Sequence, residues 1–304
     1  MVRTSNDMNS IPQLQNEPRQ VDLLLAQRRL YSKAKVFFAL RTTLALVLAV
    51  VGPIISGIAP RLGPYVGAVA LTCLVINLIF EGFESKSKAN AATIQELFDT
   101  SLFELPWNQF ATGKRPDEET IAMALNGTSK DDFKDLRDWY AIEVGKVDLK
   151  LATLLCQRIN VWWDSDLRRL YVRLLLILLG TLVLVALFLG LLGDFTVSKL
   201  LVGFIFPLLP LAEVLIAQIK QNCEAANVTS ELKENLDAEI EKWMRREQIQ
   251  DSSATARIIQ DQIWRHRSKC PMIFDWVHRL YKPRHENLMQ FSAKVKVEEY
   301  LNHG

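Results

Sequence analysis

The sequence predicts an all-α integral membrane protein: two transmembrane helical hairpins, four spans in all, with both chain ends inside the cell and a helical insert and tail on that same side. Three observations carry the prediction. The 304 residues are 49% hydrophobic yet 23% charged, at a mean hydropathy of +0.09, so apolar and soluble stretches are segregated along the chain. Four apolar runs approach or reach the ~20 residues that cross a ~30 Å hydrocarbon core at ~1.5 Å per residue. Lys and Arg crowd the outer ends of these runs and nearly avoid the two loops inside the hairpins.

Residues 1–41 open polar and end basic, with seven Lys/Arg against three Asp/Glu. They lack a small-residue cleavage site after a short apolar core, so no secretory leader is read there. Stretch 20–41 is a helix running into the membrane, its basic side chains held by anionic lipid. The first hairpin, 42–81, has spans Thr42–Ala59 and Leu62–Phe80, with Pro60, Arg61, Gly63 and Pro64 forming the turn. Gly63 and Gly67 stand four apart, a spacing that permits close helix approach.

In the insert, 82–171, Lys88–Glu104 reads as helix. Pro106 interrupts it, because the residue before a proline is driven out of helical backbone. A second helix is predicted from Pro116, with the proline in its first turn and Asp117, Glu118 and Glu119 against the positive dipole end. It closes at 126–129, and the helical pattern resumes from Asp131 to Tyr171.

The second hairpin, 172–219, has spans Leu174–Leu192 and Leu200–Ile219, broken at Gly193 and Asp194. Fifteen of the nineteen residues Leu174–Leu192 are Leu, Ile, Val or Phe. At ~0.3–0.6 kcal/mol each they favour insertion by several kcal/mol, and the run lacks the polar stripe that a buried helix of a soluble protein keeps. In the tail, 220–304, Leu232, Leu236, Ile240 and Trp243 share one helix face, as an intradomain core or as an oligomer seam. After a break near Asp251 a helix covers 254–268, and Pro271 ends that unit.

Orientation follows from the positive charges near the span ends. Arg28, Arg29, Lys33, Lys35 and Arg41 precede the first span, and Lys86 and Lys88 follow the second. Arg158, Arg168, Arg169 and Arg173 precede the third, and Lys220 and Lys233 follow the fourth. The hairpin loops hold only Arg61 and Lys199. The loops therefore face outward, and the insert and both ends face the cytoplasm.

A formal net charge of +2 argues against a nucleic-acid polymer as partner, since neutralising many phosphates needs a strongly basic face. Cys73, Cys156, Cys223 and Cys270 form no Cys-x-x-Cys pair and suggest neither a disulfide framework nor a zinc site. The motifs GxxxxGK[ST], GxGxxG, HExxH and GxSxG are missing. The four histidines have no metal-ligand spacing. No catalytic residue, metal or cofactor is assigned, and the chain reads as a non-enzyme. Within the spans, Glu213 is the ionisable residue well inside, and Pro207 and Pro210 predict a kinked helix whose freed carbonyls need partners. These three are the candidate pore or gating residues, although Glu213, two turns from Lys220, also reaches toward the inner interface.

Short motifs punctuate this layout. They are Gln27-Arg28-Arg29-Leu30-Tyr31-Ser32-Lys33-Ala34-Lys35 before the first span and Leu105-Pro106-Trp107-Asn108 in the insert. Cys156-Gln157-Arg158, Asn160, Trp163-Asp164 and Leu167-Arg168 precede the third span. Gln260-Asp261, Ile263, Arg267, Pro271 and Asp275-Trp276 lie in the tail. In this order around four spans, from about residue 17 to 300, the chain resembles the SMODS-associating four-transmembrane effectors, pore-formers of bacterial anti-phage systems driven by cyclic oligonucleotides. It departs from them at Phe274, where a proline is expected before Asp-Trp. The resemblance implies an inner-membrane homo-oligomer, linked to a nucleotidyltransferase whose cyclic di- or trinucleotide binds the cytoplasmic part and opens the spans.

The resemblance supplies no ligand-binding residues, so candidates come from residue chemistry. Segment 254–285 carries seven Lys/Arg against two Asp/Glu. There Arg257, Arg265, Arg267, Arg279 and Arg284 suit phosphates, and Trp264, Phe274, Trp276 and Tyr281, with Asp275 among them, suit bases. The same stretch also reads as a basic face on an anionic leaflet. A second set, Trp107, Asn108, Arg158, Asn160, Trp163 and Asp164, offers base-edge partners beside stacking surfaces, or else a hydrogen-bonded junction between insert and membrane. The alternative to a ligand-gated pore is a membrane sensor or scaffold that signals to a protein partner.

Overall fold

The computed structural model describes residues 8–128, 136–192, 206–245 and 252–302. Among them the chain is helical, without a strand. The helices are α1 (Ile11–Leu14), α2 (Pro18–Ile58), α3 (Gly63–Leu102), α4 (Gln109–Thr112), α5 (Glu118–Leu125), α6 (Leu149–Leu192), α7 (Phe206–Met244), α8 (Ser252–Lys269) and α9 (Asp275–Asn302). A 3-10 turn, Pro60–Leu62, reverses the chain between α2 and α3, which run alongside each other as a hairpin. α6 and α7 form another, and α8 lies against both α3 and α6.

The helix ends follow from local chemistry. Asp117 caps α5, its carboxylate accepting from the Thr120 backbone N–H at 3.1 Å and the Thr120 hydroxyl at 2.6 Å. Pro116 therefore precedes the helix instead of opening it, because the cap must adopt extended backbone. Asn108 caps α4 by accepting from Phe110 and Ala111, and α3 ends at Leu102, ahead of Pro106 as expected. The tail helix predicted over 254–268 is α8; the break near Asp251 lies outside the described residues.

A larger correction falls at 136–148, where continuous helix is expected. Here the structure has irregular backbone and a short 3-10 turn, Ile142–Lys146. The cause lies more than a hundred residues away. The Gln15 amide pairs with both backbone groups of Tyr140 (2.7 and 3.1 Å), and Asn9 Nδ2 donates to the Val144 and Val147 carbonyls (2.7 and 2.8 Å). Backbone groups satisfied by side chains have no need of a helix.

Burial divides the long helices in two. Leu23, Leu24, Ile94, Phe98, Leu151 and Leu236 are at most 2% exposed in one shared core. Leu232, Leu236, Ile240 and Trp243 belong to it, which settles their stripe as intradomain packing. By contrast, Leu71 and Leu78 of α3 are 65% and 62% exposed, and Ile177 and Leu184 of α6 are 66% and 68% exposed. Among the described residues, Pro18–Gly52 and Pro64–Leu102 contain stretches long and apolar enough to cross a membrane, and those stretches are only 12% and 0% buried. Gly67 makes no close approach, having open space where a Cβ would stand; Gly52 instead faces Val66 Cγ1 at 3.4 Å. Gly193, Asp194 and the start of the span expected at Leu200–Ile219 lie outside the described residues.

Candidate functional site

Where α3, α6 and α8 meet, a charged network sits inside the core. Asp99, fully buried, accepts from the Tyr140 hydroxyl (2.6 Å), Arg267 (2.6 Å) and Gln260 Nε2 (3.1 Å). Glu96, also fully buried, accepts from Arg257 (2.5 Å) and the same Gln260 amide (2.8 Å). Arg257 reaches on to Asp261 at 2.7 Å, which takes Asn108 Nδ2 at 2.6 Å. Asn160 Nδ2 donates to the Tyr140 oxygen at 2.7 Å. Burial pushes the Glu96 carboxyl above its ordinary range, and Arg257 and Gln260 pull it only part of the way back. Burial and the adjacent Asp99 carboxylate push the Tyr140 phenol well up, so it remains a donor. Charges this deep are tolerated because each has an ion-pair or hydrogen-bond partner.

A second cluster lies nearby on α6. Asp164 accepts from Arg168 and from the His266 ring, both at 2.7 Å. Arg168, 3% exposed, also donates to Asn222 Oδ1 (2.8 Å) and the Pro271 carbonyl (3.1 Å). Burial raises the Asp164 carboxyl, but Arg168 and His266 outweigh it and hold that group below the carboxylate range.

The candidates named from sequence are thus distributed. Asn108, Asn160, Arg257 and Arg267 join one network. Trp264 lies beside it, its indole N–H 3.3 Å from Thr93 Oγ1. Asp164 belongs to the Arg168 cluster. Arg158 pairs with Asp237 and donates to Ser292, whereas Trp163 stacks on His278 at 6.2 Å between centroids and lies tilted against His285 at 5.0 Å. Trp107 donates to the Gly113 carbonyl at 2.9 Å, and Asp275 pairs with Lys35. Trp276 and Arg284 are exposed. Of the gating candidates, Glu213 is exposed on α7, and Pro207 and Pro210 lie within that helix.

An open cavity of about 790 Å3 lies where the apolar stretches of α2 and α3 give way to the core; Arg265, a phosphate candidate from sequence, lines it beside Glu81, Glu84 and Lys269, which sequence reasoning passed over. Arg41 pairs there with Glu81 (3.0 Å) and Glu84 (3.2 Å). Lys88 Nζ donates to the Cys270 carbonyl at 3.0 Å, tying α3 to the end of α8. Arg265 and Lys269, exposed one turn apart on α8, line the far wall. The available signal was spacing: Glu81 and Glu84 at i, i+3 just past a span, and Arg265 and Lys269 at i, i+4 on one face.

The family model described as the SMODS-associating 4TM effector domain matches residues 9–296 of this chain. Among curated proteins, the chain is 26% identical over 296 residues to one from Bacillus cereus (strain VD146) described as a probable CBASS effector molecule, covering 94% of this chain and 98% of that one. No solved structure matches.

Proposed function

Given that the chain belongs to the SMODS-associating 4TM effector family, we propose that it is a pore-forming membrane effector of anti-phage signalling, switched on by a cyclic di- or trinucleotide. Family membership supports an effector role in such signalling, as does the relative described as a probable CBASS effector. In this reading four spans cross the bacterial inner membrane, both ends are cytoplasmic, and copies of the chain assemble into the pore. A partner nucleotidyltransferase supplies the ligand.

The observation that carries the mechanism is helix continuity. α2, α3 and α6 run 41, 40 and 44 residues, each joining an exposed apolar stretch to the buried core without a break. A ligand that favours one arrangement of the cytoplasmic core thereby favours one arrangement of the spans, shifting a two-state equilibrium by its differential affinity. Glu213, exposed on α7, is the acid that assembly would bring to the pore wall, because an ionised group facing lipid is costly. The test is dye release from proteoliposomes holding the purified protein, scanned against cyclic di- and trinucleotides. Release with one nucleotide alone is the expected result; silence across the panel, with insertion verified, defeats the reading.

One observation also suits the alternative of a sensor or scaffold. Trp276, Leu280, Leu288 and Phe291 are 53%, 63%, 39% and 67% exposed, and their spacing puts them on one side of α9. In the pore reading this face meets a second copy; in the scaffold reading it meets another protein, and no dye escapes.

A further inference from the structure

The cavity between the hairpins is built by residues the buried network does not use. Its volume of about 790 Å3 falls within the ~300–1,000 Å3 of small-molecule sites. We propose that it is the cyclic-nucleotide site, with Arg265 and Lys269 holding the phosphodiesters and Glu84 taking the N–H edge of a guanine. The assignment rests on the function proposed above.

Three features support it. Arg265 and Lys269 form no ion pair among the described residues and stand exposed at the cavity's edge, where phosphate oxygens meet them without displacing a carboxylate. Glu84 is only 6% exposed, and its Oε2 has no hydrogen-bond partner. Arg41 lies 3.2 Å from that oxygen, out of hydrogen-bonding alignment, and the oxygen is screened from solvent, so a guanine edge gains this unused acceptor as Arg41 turns aside toward the ligand's phosphates. Guanine presents N1–H and N2–H side by side to the two oxygens of a carboxylate, whereas adenine sets its amino group beside an acceptor that repels one. Phe38 and Met272 supply the apolar part of its lining.

The position gives the site leverage. Its walls come from α2 and α3 on one side and from α7 and α8 on the other. A bound ligand therefore bridges the two hairpins where their apolar stretches begin. A lipid headgroup offers the same phosphate but not the paired N–H edge.

The experiment is titration of the full chain in nanodiscs of zwitterionic and of anionic lipid with cyclic di-GMP, cyclic GMP–AMP and cyclic di-AMP, run beside the dye-release panel. Wild type should bind the guanine-containing ligands at least about tenfold more tightly than cyclic di-AMP, the worth of one charge-assisted contact. Glu84→Gln should erase that preference. The double variant Arg265→Ala/Lys269→Ala, confined to exposed side chains, should weaken binding about tenfold or more. Undiminished nucleotide binding by the double variant overturns the site and leaves the pore reading standing. The same holds if its only defect is in association with anionic lipid, which assigns the cavity to headgroups. Dye release by a nucleotide without guanine, and none by these guanine ligands, also overturns the site alone. Silence in both assays overturns site and function together.

Discussion

The two halves of α3 invert each other. Along residues 64–83 large apolar side chains such as Leu71, Leu74 and Leu78 are 54–65% exposed, while further along the same helix Glu96 and Asp99 are fully buried. In water the first half would be wrong, and the second would be wrong without partners for its charges. The contrast teaches that each half answers to a different solvent: lipid for the first, a core lined with matched hydrogen-bond partners for the second.

The largest break in that comparison is Asp99→Leu, which leaves the Arg267 guanidinium buried without its carboxylate. Removing one partner of a buried pair costs about 3–5 kcal/mol, so denaturation in detergent should show the core unfolding at markedly lower urea. A loss under about 1 kcal/mol would mean the network does not hold the inner half. Leu74→Arg attacks the other half. A cation at midspan should raise the insertion free energy by about 3–4 kcal/mol, read as a lower membrane-inserted fraction, while the urea midpoint of the inserted protein stays put. A shifted midpoint with normal insertion would place Leu74 against protein instead of lipid.

The smallest effect sharpens the inner half alone. Burial, together with Lys35, pulls the His278 imidazole from 6.5 down to about 4, beside Trp163; Asp275 opposes that shift, and Lys282 and Arg28 add to it. The unfolded chain therefore takes up this proton as pH falls through 6.5, and the folded chain resists until about 4. Stability should drop by about 1 kcal/mol between pH 6.5 and 5.5 from this group. His278→Phe should flatten that part of the slope, and an unchanged slope in the variant would refute the assignment.

Much of the architecture was legible in sequence because hydropathy and proline act locally. The interruption at Pro106, the helix over 254–268 and the stripe from Leu232 to Trp243 all needed only neighbours within a few turns. The stretch 136–148 failed because its backbone is claimed by Asn9 and Gln15, which no local pattern reveals. For the site, composition marked Arg257 and Arg267 as basic. It was the fold that set Glu96 and Asp99, from a separate helix, against them. The cavity was illegible for the same reason, since its walls converge from four distant segments.

The uninterrupted run of α3 has a mechanical consequence. Forty residues make a rod ~60 Å long, and Glu84, at the cavity, stands 21 residues from one end and 18 from the other, dividing it into arms of ~32 and ~27 Å. A stiff rod pivoting near its middle behaves as a seesaw: a few ångströms of swing at Leu102 return as a comparable swing, opposite in sense, at the far tip. Nothing is amplified and little is lost, so the Gly63 tip reports the movement of the core at Leu102 almost one for one.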